Sequence, residues 1–251
     1  MITIAFTYFK SLTLANLAAA LYSVRRQDLS QVSDVVVMDN DTIDSARNIQ
    51  AVIDAQAFSV PSYMVSIKHG DPSKAQAWST NFTVRHARAP WVFYTRADYL
   101  LDFDMLKKFV AIVDSKPKNW NGFIVSNGGF LHVPIGEVEQ TSWRIYGSSS
   151  LRLLHNTVYD YTVVDSGVWM ARRASFVGFD ERLSAWGHAQ TEFQWRMHQA
   201  GVEFVRIPET LFWHPAHGGE KDIDVAHAQL AAQGGDLKAM WARYHGVSPY
   251  A

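Results

Sequence analysis

The 251-residue chain contains no cysteine, which removes disulfide scaffolds, cysteine-ligated zinc, iron–sulfur centres and thiol nucleophiles from consideration. A reducing compartment fits that absence. The chain also lacks charge of one dominant sign, with 23 Lys and Arg against 24 Asp and Glu and a formal net charge of −1. Without a cationic surplus there is no broad field to hold a polyanion, so non-specific nucleic-acid binding is not expected. No uninterrupted run of 18 apolar residues occurs, so no segment is expected to cross a bilayer as a helix. The nearest imitation of a targeting segment is residues 12–24. It has no basic leader, and residues 2–6 before it already read as a core strand. Its apolar Leu14, Leu17, Ala18 and Leu21 fall at helical spacing, with Arg25 and Arg26 where cations suit a helix C-terminus. The expectation is an amphipathic helix of a cytoplasmic domain.

Missing motifs narrow the chemistry. The first strand runs into Thr7, Tyr8, Phe9, Lys10 and Ser11 rather than a Gly-x-Gly-x-x-Gly turn, which disfavours a dinucleotide site. There is no Walker A loop, no His-Glu-x-x-His and no Gly-x-Ser-x-Gly elbow, so P-loop, zincin and serine-hydrolase chemistries lose their signatures.

What is present is an alternation of short apolar runs with helix-period segments, the pattern of an α/β domain. Strands are expected at residues 2–6, 35–38, 63–67 and 91–95, with helices at 12–24, 45–56, 73–88 and 103–114. The half beginning at 122–126 is less regular, with loops around Gly128 and Gly129 and strands at 163–164 and 168–171. A helix over 191–200 should be capped by Gly201. A last strand over 203–207 should end at Pro208, followed by a terminal helix over 226–244. No repeat, low-complexity tract or linker divides the chain. One domain spans 1–251, with a nucleotide-binding half over about 1–115 and an elaborated half over about 116–251.

Acids stand where apolar strands end. Asp39 and Asp41 follow the second strand and Asp98 the fourth, at the sheet edge where open α/β sheets bind ligands. An aspartate there can bond a ribose hydroxyl or a base N–H, or hold a divalent cation. Locally, the same residues also read as helix caps and turns.

In order and spacing these segments resemble the GT-A glycosyltransferases of the large family that builds polysaccharides and lipopolysaccharides. Residues 2–8 look like the family's opening strand, and 35–42 (VVVMDNDT) resemble its second-strand motif. Residues 78–98 (WSTNFTVRHARAPWVFYTRAD) are similar to the helix and strand that end in Asp-x-Asp. The most specific match is 166–188 (SGVWMARRASFVGFDERLSAWGH), which resembles the acceptor-side segment. The likeness continues in order through Trp195, Arg196, Gly201, Pro208 and His214.

The resemblance implies a GT-A fold, a Rossmann-like α/β domain with a mixed central sheet. It implies sugar transfer from a nucleotide-diphosphate donor, with a UDP-sugar favoured, to a glycan or other hydroxyl acceptor. Thr7, Tyr8, Asp39, Asp41, Asn81, Arg96 and Ala97 map to nucleotide binding. Asp98 and His214 map to a Mn²⁺ or Mg²⁺ site, since carboxylate and imidazole suit such ions. Trp186 is expected to stack on acceptor sugar.

Two positions depart from the family pattern. The first acid of Asp-x-Asp is Arg96, and Gln190 stands where the catalytic Asp is expected. An amide cannot take a proton at neutral pH, so Glu192, Asp165 and His188 are the candidate bases. The alternative is a degenerate domain that binds nucleotide sugar or glycan without turnover.

Overall fold

The computed structural model describes residues 1–9, 12–40, 44–67, 75–134, 152–153, 167–181 and 188–216. Strand β1 (Ile2–Phe9) leads into helix α1 (Leu14–Arg25), then β2 (Val32–Asn40), α2 (Ala46–Ala55), β3 (Ser62–Ile67), α3 (Ala75–His86) and β4 (Trp91–Arg96). The short β5 (Leu100–Leu101), α4 (Met105–Ser115), β6 (Gly122–Pro134), β7 (Arg152–Leu153), β8 (Trp169–Arg172), α5 (His188–Gln199) and β9 (Glu203–Ala216) follow.

Two helix starts, those of α1 and α2, have a local side-chain cap. Thr13 forms a capping box with Asn16 ahead of α1, and Ser45 accepts from Asn48 N ahead of α2, so orphan amides of the first turn are met. Gln27 bridges two elements: its Nε2 donates to Asp102 O at 2.8 Å while its Oε1 accepts from Leu106 N at 3.0 Å.

The strands form a nine-stranded sheet in the order β3-β2-β1-β4-β8-β6-β9-β5, with β7 beside β6. β1 to β4 are mutually parallel, whereas β8 is antiparallel to both β4 and β6. This is the mixed sheet of a GT-A fold. Alternation along β1 assigns its faces. Ile2, Ile4, Phe6 and Tyr8 join one core with Leu17, Leu21, Ile49 and Phe109, while Ala5 joins a second with Tyr94, Trp169 and Phe193.

At the edge of the sheet where β1 begins, a polar network pins three strands. Thr3 and Ser33 donate to Asp34 Oδ1 at 2.7 and 2.6 Å, and Tyr63 donates to its Oδ2 at 2.9 Å.

Three expectations are corrected. Pro208 does not end the last strand: β9 continues to Ala216, and its pairing with β6 skips from Ser126–Ile207 to Asn127–Leu211. Proline lacks the N–H a ladder needs, and an irregularity is where a sheet tolerates it. Gly128 and Gly129 lie within β6 rather than a loop; a Cβ on Gly128 would stand 2.2 Å from the Phe212 ring. Glycine therefore lets β6 and Phe212 approach. Helix α5 begins at His188, three residues earlier than expected. The expected strand at 163–164 and the terminal helix lie outside the described residues. Among those described, no helix is long and apolar enough to cross a membrane.

Candidate functional site

β1 has β2 on one side and β4 on the other, so connections leave it in opposite directions and a crevice opens beyond the strand ends. The register makes these ends level, with Tyr8 beside Asp39, Phe9 beside Asn40 and Thr7 beside Arg96. Asp39 and Asn40 are both buried, at 5% and 2% exposure. Ser66 of β3 donates to Asp39 Oδ2 at 2.7 Å and orients that carboxylate. Among the described residues, the buried Asn40 Oδ1 has no hydrogen-bond partner, an acceptor whose desolvation a ligand N–H or hydroxyl would repay.

Thr7, Tyr8 and Ala97 are held by the fold itself. The Thr7 hydroxyl lies 2.8 Å from the Tyr94 hydroxyl, which also accepts from Thr80. Ala97 N donates to Thr7 O at 3.0 Å and extends the β1–β4 pairing. Tyr8 donates to Asp44 Oδ2 at 2.5 Å. Burial, reinforced by Asp44, pushes the Tyr8 phenol far above its ordinary range, and burial raises Tyr94 too. Both are neutral structural phenols.

Beyond β4 the chain turns, with Tyr99 N bonded to Arg96 O, and sets Arg96 and Asp98 together. Arg96 Nε donates to Asp98 Oδ1 at 3.0 Å and Nη2 to Oδ2 at 2.5 Å. This is a two-pronged guanidinium–carboxylate pair, with Arg96 4% exposed and Asp98 fully buried. His214 of β9 brings its Nε2 to 3.1 Å from Asp98 Oδ2, which is favourable when that nitrogen carries the hydrogen. The Phe9 and Tyr99 rings flank the guanidinium, their centroids 4.9 and 4.8 Å from Cζ. Tyr99 is itself held by Phe212, His214 and Gly167; a Cβ on Gly167 would lie 2.1 Å from its ring.

Asp98 and His214, expected as metal ligands, therefore do meet. They do not present a ready ligand set. Both carboxylate oxygens already accept from one cation, and a divalent ion on the same oxygens would face that cation at close range. Among the described residues no group of three or more His, Asp or Glu side chains is arranged to hold an ion.

Asn81, expected at the nucleotide, bonds the turn after β8. Its Oδ1 accepts from Phe179 N at 2.6 Å, and its Nδ2 donates to Phe179 O and Glu181 Oε1, both at 2.8 Å. It clamps the Gly178–Phe179–Asp180–Glu181 turn onto α3. Arg196 of α5 grips the same turn, donating to Gly178 O at 2.7 Å and Val177 O at 3.4 Å, and Arg173 donates to Ala87 O. The carbonyls that Arg196 holds are 18 and 19 residues away in sequence.

Gly178 has φ +77° and Gly201 φ +73°, both in the left-handed region. A Cβ on Gly178 would also come within 3.3 Å of Asn81 Oδ1, whereas one on Gly201 meets nothing within 4 Å. Each Gly→Ala change should cost about 1–2 kcal/mol for its backbone. Gly178→Ala should cost more in urea unfolding, because it also displaces the clamp. Equal losses would show the clamp to be slack.

Asp41, Asp165 and Trp186 lie outside the described residues. His188 and Glu192 are placed by the backbone of α5 alone. Since Gln190 and Glu192 both fall in regular helix, they lie roughly 200° apart around it. Asp44, Asn40 and Ser66 were missed from sequence. Asn40 alone carried a signal, as the residue between two strand-end acids.

No curated protein matches the chain by sequence. Among solved structures, S. aureus TarS 1-349 in complex with UDP superposes with a TM-score of 0.61 at 15% identity, covering 98% of this chain and 72% of that one. Mannosyltransferase PcManGT from Pyrobaculum calidifontis, in complex with GDP-Man and Mn²⁺, gives 0.62 at 16%, covering 99% and 65%. GalNAc-T7 with UDP, GalNAc and Mn²⁺ gives 0.63 at 12%, covering 86% and 44%. In a longer TarS structure the chain spans 39% of the length. These likenesses confirm the fold. The pattern of glycosyl transferase family 2 matches residues 3–177, more than half of the sequence and the whole of the strand-end site up to Gly167, and the chain belongs to that family.

Proposed function

We propose that the protein transfers a sugar from a nucleoside-diphosphate donor, a UDP-sugar, to a hydroxyl of a glycan or similar acceptor. The observation that carries this is the buried pair Asp39 and Asn40 at the end of β2, level with β1 and β4 at the point where the strand order reverses. Asp39 offers an oriented carboxylate to a base N–H or ribose hydroxyl, with Asn40 Oδ1 as a second acceptor and Asp41 next in sequence. UDP is favoured as donor nucleotide because TarS and GalNAc-T7 are both described with it.

The diphosphate would lie over the end of β4, where Arg96 is a fixed cation that favours charge building on the leaving group. The acceptor would enter from the second half, its sugar face against Trp186. The base is a carboxylate or imidazole of that half, Glu192, Asp165 or His188, placed to take the acceptor's proton. Asp165 has one further argument, since it lies two residues before Gly167, which packs on Tyr99 beside Asp98. The same proposal places the enzyme in the cytoplasm, where a chain without cysteine has no disulfide to lose.

Asp39→Ala is the direct test. It removes a charged hydrogen-bonding partner, so UDP affinity should fall by about 1.5–3 kcal/mol. Isothermal calorimetry giving wild-type affinity for a folded Asp39→Ala protein would remove the nucleotide from this strand end.

A further inference from the structure

We propose that Arg96 is a built-in substitute for the divalent cation, so that donor binding at this site needs no metal. The inference rests on the nucleotide-sugar reading above, and goes beyond it by naming the group that balances charge.

Asp98 is the acid at the end of β4 that a metal would have to share, and the Arg96 fork holds both of its oxygens at 3.0 and 2.5 Å. His214 Nε2 adds a second contact to Oδ2 at 3.1 Å. A Mg²⁺ ion needs its oxygens at about 2.0–2.1 Å in a near-octahedral shell. It could reach Asp98 only after the guanidinium had left. Departure is opposed on every side. Arg96 lies between the rings of Phe9 and Tyr99, Tyr99 is wedged against Gly167 and Phe212, and the buried carboxylate would lose its counter-charge.

The substitution that removes an acid from the motif thus also supplies a permanent positive charge. Guanidinium stays protonated at any working pH and fits oxyanions in a planar fork. A diphosphate at the strand ends would meet a cation fixed before the ligand arrives. The Mn²⁺ in the complexes of PcManGT and GalNAc-T7 would have its counterpart here in a side chain.

Two measurements decide this. Mn²⁺ alone is titrated into the wild-type protein and followed by electron paramagnetic resonance of the free ion, then again with UDP present. UDP affinity is separately measured by calorimetry in EDTA and in saturating Mn²⁺. The expected result is no Mn²⁺ site lost on Asp98→Asn, and UDP affinities that agree within about twofold in the two buffers. Arg96→Met should lower UDP affinity by about tenfold or more in EDTA. Arg96→Asp should create Mn²⁺ binding that wild type lacks. A wild-type Mn²⁺ site that Asp98→Asn abolishes would overturn the proposal, as would a tenfold loss of UDP affinity in EDTA. If UDP binds in neither buffer, the nucleotide reading fails, while the Mn²⁺ titration still decides whether Arg96 keeps the ion out.

Discussion

Asp98→Ala is expected to cost about 3–5 kcal/mol of folding stability, because it strands a buried guanidinium. Arg96 is 4% exposed and Asp98 not at all, so water cannot take over the role of the lost carboxylate without opening the site. The Phe9 and Tyr99 rings help to hold the cation but cannot replace an anion. His214 loses its contact with the Asp98 carboxylate in the same step. Asp98→Asn keeps one acceptor oxygen and should cost less. The paired variant Arg96→Met/Asp98→Ala should be less damaged than the sum of its parts, since removing both charges leaves none unpaired. Urea unfolding of these three variants and of Arg96→Met alone gives the comparison. A loss under about 1 kcal/mol for Asp98→Ala would place the pair in the range of exposed ion pairs and would contradict the closed site described above.

The second large effect concerns the base. Gln190 stands where the resembling enzymes carry an acid, and its amide cannot accept the acceptor's proton. Turnover therefore needs another group within about 2.6–3.2 Å of the acceptor oxygen, or one water away. Glu192→Gln, Asp165→Asn and His188→Gln should be assayed for sugar transfer at saturating donor, and one of them should lose about 10²–10⁴ in rate. The helix register counts against Glu192 as a stand-in for Gln190, because α5 starts at His188 and the two positions face different ways. Asp165 is the stronger expectation for that reason. If none of the three loses rate and Gln190→Asp gains it, the site has lost its base and the binding-module reading takes its place.

The strand-end acids were legible in sequence because apolar runs ending in Asp have a simple periodic signature. The sheet positions of Asp39 and Asp98 follow from it. The Arg96–Asp98 pair was half legible. Arg96 registers in a motif as a lost acid, and because residues 97 and 98 are a turn rather than strand, the alternation rule for strands does not announce the pair. Turn geometry beyond β4 and the flanking rings of Phe9 and Tyr99 decide that the two side chains meet. The bonds of Asn81 were not legible because its partner, Phe179, lies 98 residues away. A buried amide is satisfied by whatever backbone tertiary packing delivers, and no local pattern announces it. Pro208 misled in a different way: the local rule that proline breaks a ladder holds, but β9 absorbs the break as a slip against β6 and resumes.

The central claim is that a nucleoside diphosphate binds beyond β1, β2 and β4 against Asp39 and Arg96. The most direct measurement is a crystal of the protein soaked with UDP and Mn²⁺. The account predicts the nucleoside beside Asp39 and Asn40, the diphosphate over the end of β4, and Arg96 still forked onto Asp98. A nucleotide bound away from these strand ends would contradict it, as would a manganese ion on Asp98 with Arg96 swung out.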